Sequence, residues 1–197
     1  MTRNAALMLL GLFLIATLSS CGGTVKTGIT PPASTEIIES APKWYLNPPK
    51  DDEYIAGTGT ATSRDMQLAR DKAVESARLD VSKSLEIRFE AISKRFQEEV
   101  GTAIEAQYLD QFTQASKSTV SQVLIGATVD QTSLSAEKGV FRAFALVKVP
   151  MGAASEALVN RIKQEEQLYT RFRSTQVFDE LNKETEKFEE WKKGEQK

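Results

Sequence analysis

The spacing of apolar residues changes several times along the chain, and each change predicts an element. Residues 54–61 (YIAGTGTA) alternate and predict a strand. From about Arg64 the period becomes three to four, through Met66, Ala69, Ala73, Ala77, Val81, Leu85, Phe89, Ile92, Phe96 and Val100, which predicts a helix. Thr62-Ser63-Arg64-Asp65 ahead of it supplies an N-cap and an acid in the first turn. Continued through Tyr108 and Phe112 to Ser116, that helix would be about 75 Å long at 1.5 Å per residue, so a break is expected near Gly101-Thr102. Ser121 to Gln131 (SQVLIGATVDQ) and Val140 to Val149 (VFRAFALVKV) alternate again. They predict two strands of a hairpin, turning over Ser135-Ala136-Glu137-Lys138-Gly139 with Gly139 as the flexible residue. In the second strand, Phe141, Ala143, Ala145, Val147 and Val149 share a face, with Arg142 and Lys148 on the other. Pro150 ends it, and another helical pattern starts near Met151. Strand, long helix, hairpin and helix make a two-layer α+β domain with an antiparallel sheet.

From Arg161 onward nine basic and nine acidic residues intermingle. Phe178, Leu181, Phe188 and Trp191 form a narrow apolar stripe, and Asp179–Lys183 and Glu189–Lys193 are favourable i,i+4 pairs. This segment reads as a charged C-terminal helix with a thin core-facing seam, or as a coiled-coil or partner-binding segment. No internal repeat is visible.

The first residues, MTRNAALMLLGLFLIATLSSCGG, place the protein. Arg3 gives a charged start, and the apolar run from Ala5 to Leu18 falls short of the about 20 residues a spanning helix needs. It has the length of a secretory signal core. Leu18-Ser19-Ser20-Cys21 then resembles the lipobox of bacterial lipoproteins, in which the signal is cut before the cysteine and that residue is acylated. Cys21 is the only cysteine in the chain. One buried acyl chain gives marginal membrane binding and two or more give stable anchoring. By resemblance to Gram-negative lipoproteins, Gly22 after the cysteine, rather than Asp, implies export to the outer membrane. Residues 22 to 42 are rich in Gly, Thr, Ser and Pro and read as a tether spanning roughly 25 Å. The predicted organisation is therefore a signal (1–20), an acylated cysteine and tether (21–42), an α+β domain (43–160) and a charged helical tail (161–197).

Composition narrows the chemistry. The chain has no histidine, so the usual general base and the commonest metal ligand are missing. With Cys21 acylated, no thiol remains for a nucleophile or a zinc site. The net charge of −2, without a basic block, argues against nucleic acid. Neither catalysis nor a cofactor or metal is expected. The carboxylates Asp51, Asp52 and Glu53 are the weak hydrolase alternative, since an acidic loop before a strand is usually a solvated turn.

Gly57 and Gly59 raise the question of a phosphate loop. The dinucleotide fingerprint needs a third glycine where this chain has Thr62, and a parallel βαβ unit that is not apparent. The alternative is packing. Ile55, Gly57, Gly59 and Ala61 fall on one strand face, and Ala69, Ala73 and Ala77 form an i,i+4 stripe on the helix. Small residues on both surfaces let helix and sheet approach closely.

Behind the lipobox, Trp44, Pro49, Tyr54, Gly57, Gly59, Ala69, Ala73 and Ala77 resemble the Lpp-twenty lipoprotein family over about residues 43 to 149. The family pattern is a Pro-Trp-like start, a loop with proline, a Tyr-x-x-Gly-x-Gly strand and an alanine-rich helix; here Lys43 separates Pro42 from Trp44. The resemblance implies a small outer-membrane lipoprotein without catalytic residues, with some relatives associated with flagellar basal structures as assembly or scaffold components. Trp44 and Tyr45 are a candidate partner contact, since aromatics are enriched in interfaces, or else they seal the edge of the core. The function expected is thus a lipid-anchored, periplasm-facing structural or assembly protein of the envelope. Its partners would be membrane lipid through Cys21 and another envelope protein or itself. A periplasmic small-ligand binding or carrier module is the alternative.

Overall fold

The computed structural model describes residues 40–101, 106–137 and 139–195. The signal, Cys21 and the tether up to residue 39 lie outside the described residues. From Ser40 onward the chain forms one compact unit of mixed helix and antiparallel sheet. In chain order it comprises a short helix α1 (Lys43–Leu46), strand β1 (Tyr54–Ser63), helix α2 (Met66–Val100) and helix α3 (Ala106–Ile125). The hairpin β2 (Thr128–Glu137) and β3 (Val140–Pro150) comes next, then α4 (Met151–Ile162), α5 (Glu166–Phe172) and α6 (Gln176–Glu195). The sheet order is β1-β3-β2, with both pairings antiparallel.

The long helix begins where the sequence indicates. Asp65 is its N-cap, accepting a hydrogen bond from the Leu68 N–H at 2.7 Å, and the expected acid in the first turn is therefore this cap rather than a separate residue within the helix. Its eight buried residues, from Ala69 to Phe96, are those of the three-to-four pattern. It ends at Gly101, whose positive φ of 84° glycine adopts without strain. Gly139, φ 80°, plays the same part in the hairpin. Strand β2 runs further into that turn than expected, to Glu137, while β3 begins at Val140 as expected.

One expected strand is helix in its first half. The segment 121–131 divides, with residues up to Ile125 completing α3 and β2 starting only at Thr128. Val123 and Ile125 mimic a strand by their spacing of two, yet Ile125 is 87% exposed. The stronger pattern is the helical one through the buried Tyr108, Phe112, Ala115, Thr119 and Val120. Two carbonyls near the end of α3 are taken by the Gly126 and Ala127 N–H groups, and the chain then turns into β2.

The core has two parts. Under the first half of α2 lie the small residues of the sheet. Beyond the sheet, α2, α3 and α5 meet around Phe96, Phe112 and Phe172, with ring centroids 5.3–5.8 Å apart. The segment past residue 160 contributes directly: Leu168, Phe172, Val177 and Leu181 are buried. Helix α6 lies along α2 through a ladder of polar contacts. Arg88 pairs with Glu184 at 2.6 Å and Arg95 with Glu180 at 2.7 Å, while Glu99 accepts the Gln176 N–H at 2.6 Å. The last of these caps the first turn of α6 from a neighbouring helix.

Candidate functional site

The residues read as a packing floor come together. A Cβ added at Gly57 would lie 2.5 Å from the Ala77 carbonyl oxygen and 2.7 Å from the Val81 nitrogen. One added at Gly59 would run into the Ala73 carbonyl oxygen and the Ala77 nitrogen. Ala69, Ala73 and Ala77 are fully buried on the facing helix. The backbones of β1 and α2 therefore touch, as small residues on both sides permit. Between the glycines, the Thr58 N–H donates to the Asp80 carboxylate at 3.0 Å. This N–H is therefore engaged by a carboxylate of the facing helix.

Trp44 and Tyr45 are half-buried. The Tyr45 ring meets Phe144 edge-on at 4.9 Å, and Trp44 stands 6.5 Å from Tyr45. Phe144 alternates with the residues that face α2, so α1 packs on the opposite sheet face. That face is not a polar one, because Phe144 and Leu146 are both buried.

Asp51 accepts the Glu53 N–H at 2.8 Å, which ties it into the turn before β1. Asp52 and Glu53 face a cleft of about 320 Å³. Tyr54, Pro150, Met151 and Gly152 at the start of α4, and Glu184, Lys187, Phe188 and Trp191 of α6 form the rest of its lining. Phe188 and Trp191 stack at 5.6 Å. Lys192 sits over the Phe188 ring and pairs with Glu156 and Glu189; the Glu189 hydrogen bond, followed by that to Glu156, raises its ammonium pKa above the ordinary value. Glu184 is already engaged, accepting from both Arg88 and Ser155 at 2.6 Å. Three carboxylates and one ammonium leave the cleft acidic with aromatic walls. Among the described residues no cluster of His, Cys, Asp or Glu could hold a metal.

The cleft depends on a residue that the sequence reading missed. A Cβ on Gly152 would strike the Phe188 Cβ and come within 2.8 Å of the Glu184 carbonyl oxygen, so Gly152 sets how closely α6 approaches α4. In sequence, Met151-Gly152-Ala153-Ala154 reads as an ordinary small-residue helix start, because the partner lies more than thirty positions away.

The two sheet edges differ. Asp80 covers β1. On β2, Thr132, Leu134 and Ala136 are exposed although they lie on the same side of the sheet as α2, with Leu134 at 43%.

No family model, curated protein or solved structure matches the chain. Among the described residues no helix is long and apolar enough to cross a membrane.

Proposed function

We propose that the chain is a lipid-anchored outer-membrane lipoprotein with a non-catalytic structural or assembly role in the cell envelope, facing the periplasm. The observation that carries this reading is Leu18-Ser19-Ser20-Cys21 at the end of a short apolar run, followed by a polar tether that leads into a compact unit starting at Ser40. The lipid fixes the location, the tether gives reach and the folded unit makes the contacts. The resemblance to the Lpp-twenty family supports the same role and suggests flagellum-associated assembly as one setting.

The test is metabolic labelling with a clickable fatty acid, followed by membrane fractionation of the parent chain and Cys21→Ala. Label and outer-membrane recovery in the parent, both lost in the variant, are expected. An unlabelled parent chain would overturn the anchor.

A second reading, a small-ligand binding or carrier module, is favoured by the cleft of about 320 Å³ with its Tyr54, Phe188 and Trp191 walls, which matches the lower end of ligand-pocket sizes. It predicts a rise in melting temperature with a cationic or aromatic ligand that is abolished by Trp191→Ala.

A further inference from the structure

We infer that the outer edge of β2 is a self-pairing site, joining two copies of this chain into a continuous antiparallel sheet. The scaffold reading enters this inference only by concentrating copies on one membrane.

The register shows which main-chain groups are free. In an antiparallel ladder, successive residues alternate between turning N–H and C=O toward a partner strand and turning them away. The Thr58 N–H is bonded to Asp80, so Thr58 turns away from its partner Leu146 on β3. Leu146 in turn directs its own groups to Gln131 on β2. Counting along β2 from Gln131, the N–H and C=O groups of Thr132, Leu134 and Ala136 point outward, to the edge that no strand covers.

Between Gln131 and Ala136 the side chains on that edge do not guard it. Edge strands are usually blunted by lysine, proline, an inward-pointing charge or a covering element. From Gln131 to Ala136 (QTSLSA) there is neither a charge nor a proline. The one acid of the preceding bulge, Asp130, is held by Lys148 at 3.2 Å. On the opposite edge, one outward N–H, that of Thr58, is taken by a helix carboxylate.

A second copy fits this edge because it is self-complementary. Outward groups must oppose outward groups, so the two strands can align only in registers of even sum. Centring on Leu134 sets Leu134 against its symmetry mate and Thr132 against Ala136 of the other copy. The three opposed pairs each exchange two bonds, giving about six main-chain hydrogen bonds. The helix-side row then alternates Thr, Leu and Ala with no like charges opposed. One strand pair buries less than the about 1,000 Å² of a stable soluble interface, so pairing is populated where copies share a surface.

The test is thiol crosslinking of the full-length chain in cells, using Leu134→Cys, Ile87→Cys as an exposed control on α2, and the parent chain. A crosslinked dimer on the order of tenfold stronger for Leu134→Cys than for Ile87→Cys is expected. Adding Thr132→Pro should abolish it while the monomer stays folded by circular dichroism, because the Thr132 N–H is not used inside the molecule. If that variant unfolds, a Leu134→Cys/Ala136→Lys chain, altered at an exposed side chain, carries the same expectation. A Leu134→Cys band no stronger than the control overturns the inference, as does a dimer that survives a folded edge variant. A crosslink to a protein of another mass also overturns it. Dimer formed by the parent chain through Cys21 would show a free thiol and sink the lipid anchor instead, so the two failures read out separately.

Discussion

Replacing Gly59 by alanine adds one methyl group at a place where the structure has no room for it. The new Cβ meets main-chain atoms, Ala73 O and Ala77 N, which cannot rotate aside as a side-chain tip could. At Gly57 the nearest atom is the Ala77 oxygen at 2.5 Å, against an ordinary contact that starts near 3.4 Å. Helix α2 must therefore retreat by about 0.9 Å at Gly57, and further at Gly59. Ala69, Ala73, Ala77 and Val81 are all fully buried along that stretch. A gap of about 0.5–1 Å forfeits a quarter to a half of each dispersion contact. Overpacking of this kind costs about 1–3 kcal/mol, and the unfolded-state gain of a Gly→Ala change returns only about 0.4–1. We expect a net loss of about 2 kcal/mol for Gly59→Ala, and a larger loss for Gly57→Val. At roughly 2–4 °C per kcal/mol for a chain of this size, the melting temperature should fall by about 4–8 °C. Thermal unfolding of the unit from Ser40 onward measures this, with Gly194→Ala as the control because nothing lies within 4 Å of its added Cβ. A companion Ala77→Gly change should not rescue the loss, since the collision is with backbone. A Gly59→Ala protein that melts within about 1 °C of its parent would refute the close approach.

Gly152→Ala should destabilise by about 1–3 kcal/mol and disturb the cleft, read as a lower melting temperature with increased Trp191 solvent quenching. Glu99→Gln should weaken the capping of α6 by about 1 kcal/mol, detectable as faster amide exchange near Gln176 with little change in β1. The Lys94 ammonium, hydrogen-bonded to Glu90, holds that carboxyl below its ordinary value. A depressed folded-state pKa stabilises above the unfolded value and loses that contribution as pH falls through the folded one. Lys94→Gln should therefore raise the Glu90 midpoint in an NMR titration, and an unmoved midpoint would contradict the pair. Because the pair is fully exposed, little change in overall stability should accompany it.

Legibility in the sequence follows the range of the interactions. The α2 stripe, its Asp65 cap and the break at Gly101 depend on neighbours within a turn or two, and all are readable. Strand β3 is readable, but its second buried row, Phe144 and Leu146, is not, because the cover on that face includes Tyr45 a hundred positions away. The end of α3 reads wrongly as strand because Val123 and Ile125 satisfy a period of two by coincidence where the helix runs out. The last helices look like a thinly seamed tail because three of their four buried apolar residues, Leu168, Phe172 and Val177, lie outside the stripe that the sequence displays. Of the candidate site residues, the glycines and alanines carry a local signal. Gly152, Glu184 and Asp80 carry none, since each acts through a partner distant in the chain.

The packing floor and the open sheet edge have one cause. A helix settles where the surface beneath it is lowest, and here the lowest strand is β1, with glycine at two successive inward positions. Helix α2 therefore lies over β1 and β3, close enough for Asp80 to reach the Thr58 N–H at that edge. The same displacement carries the helix off β2, whose inward row, Thr132, Leu134 and Ala136, is left uncovered. Large residues at positions 57 and 59 would push the helix away from β1, open its edge and shade Leu134. Gly57 and Gly59 thus do more than stabilise the fold: they seat α2 over β1 and β3 and leave the inward row of β2 exposed.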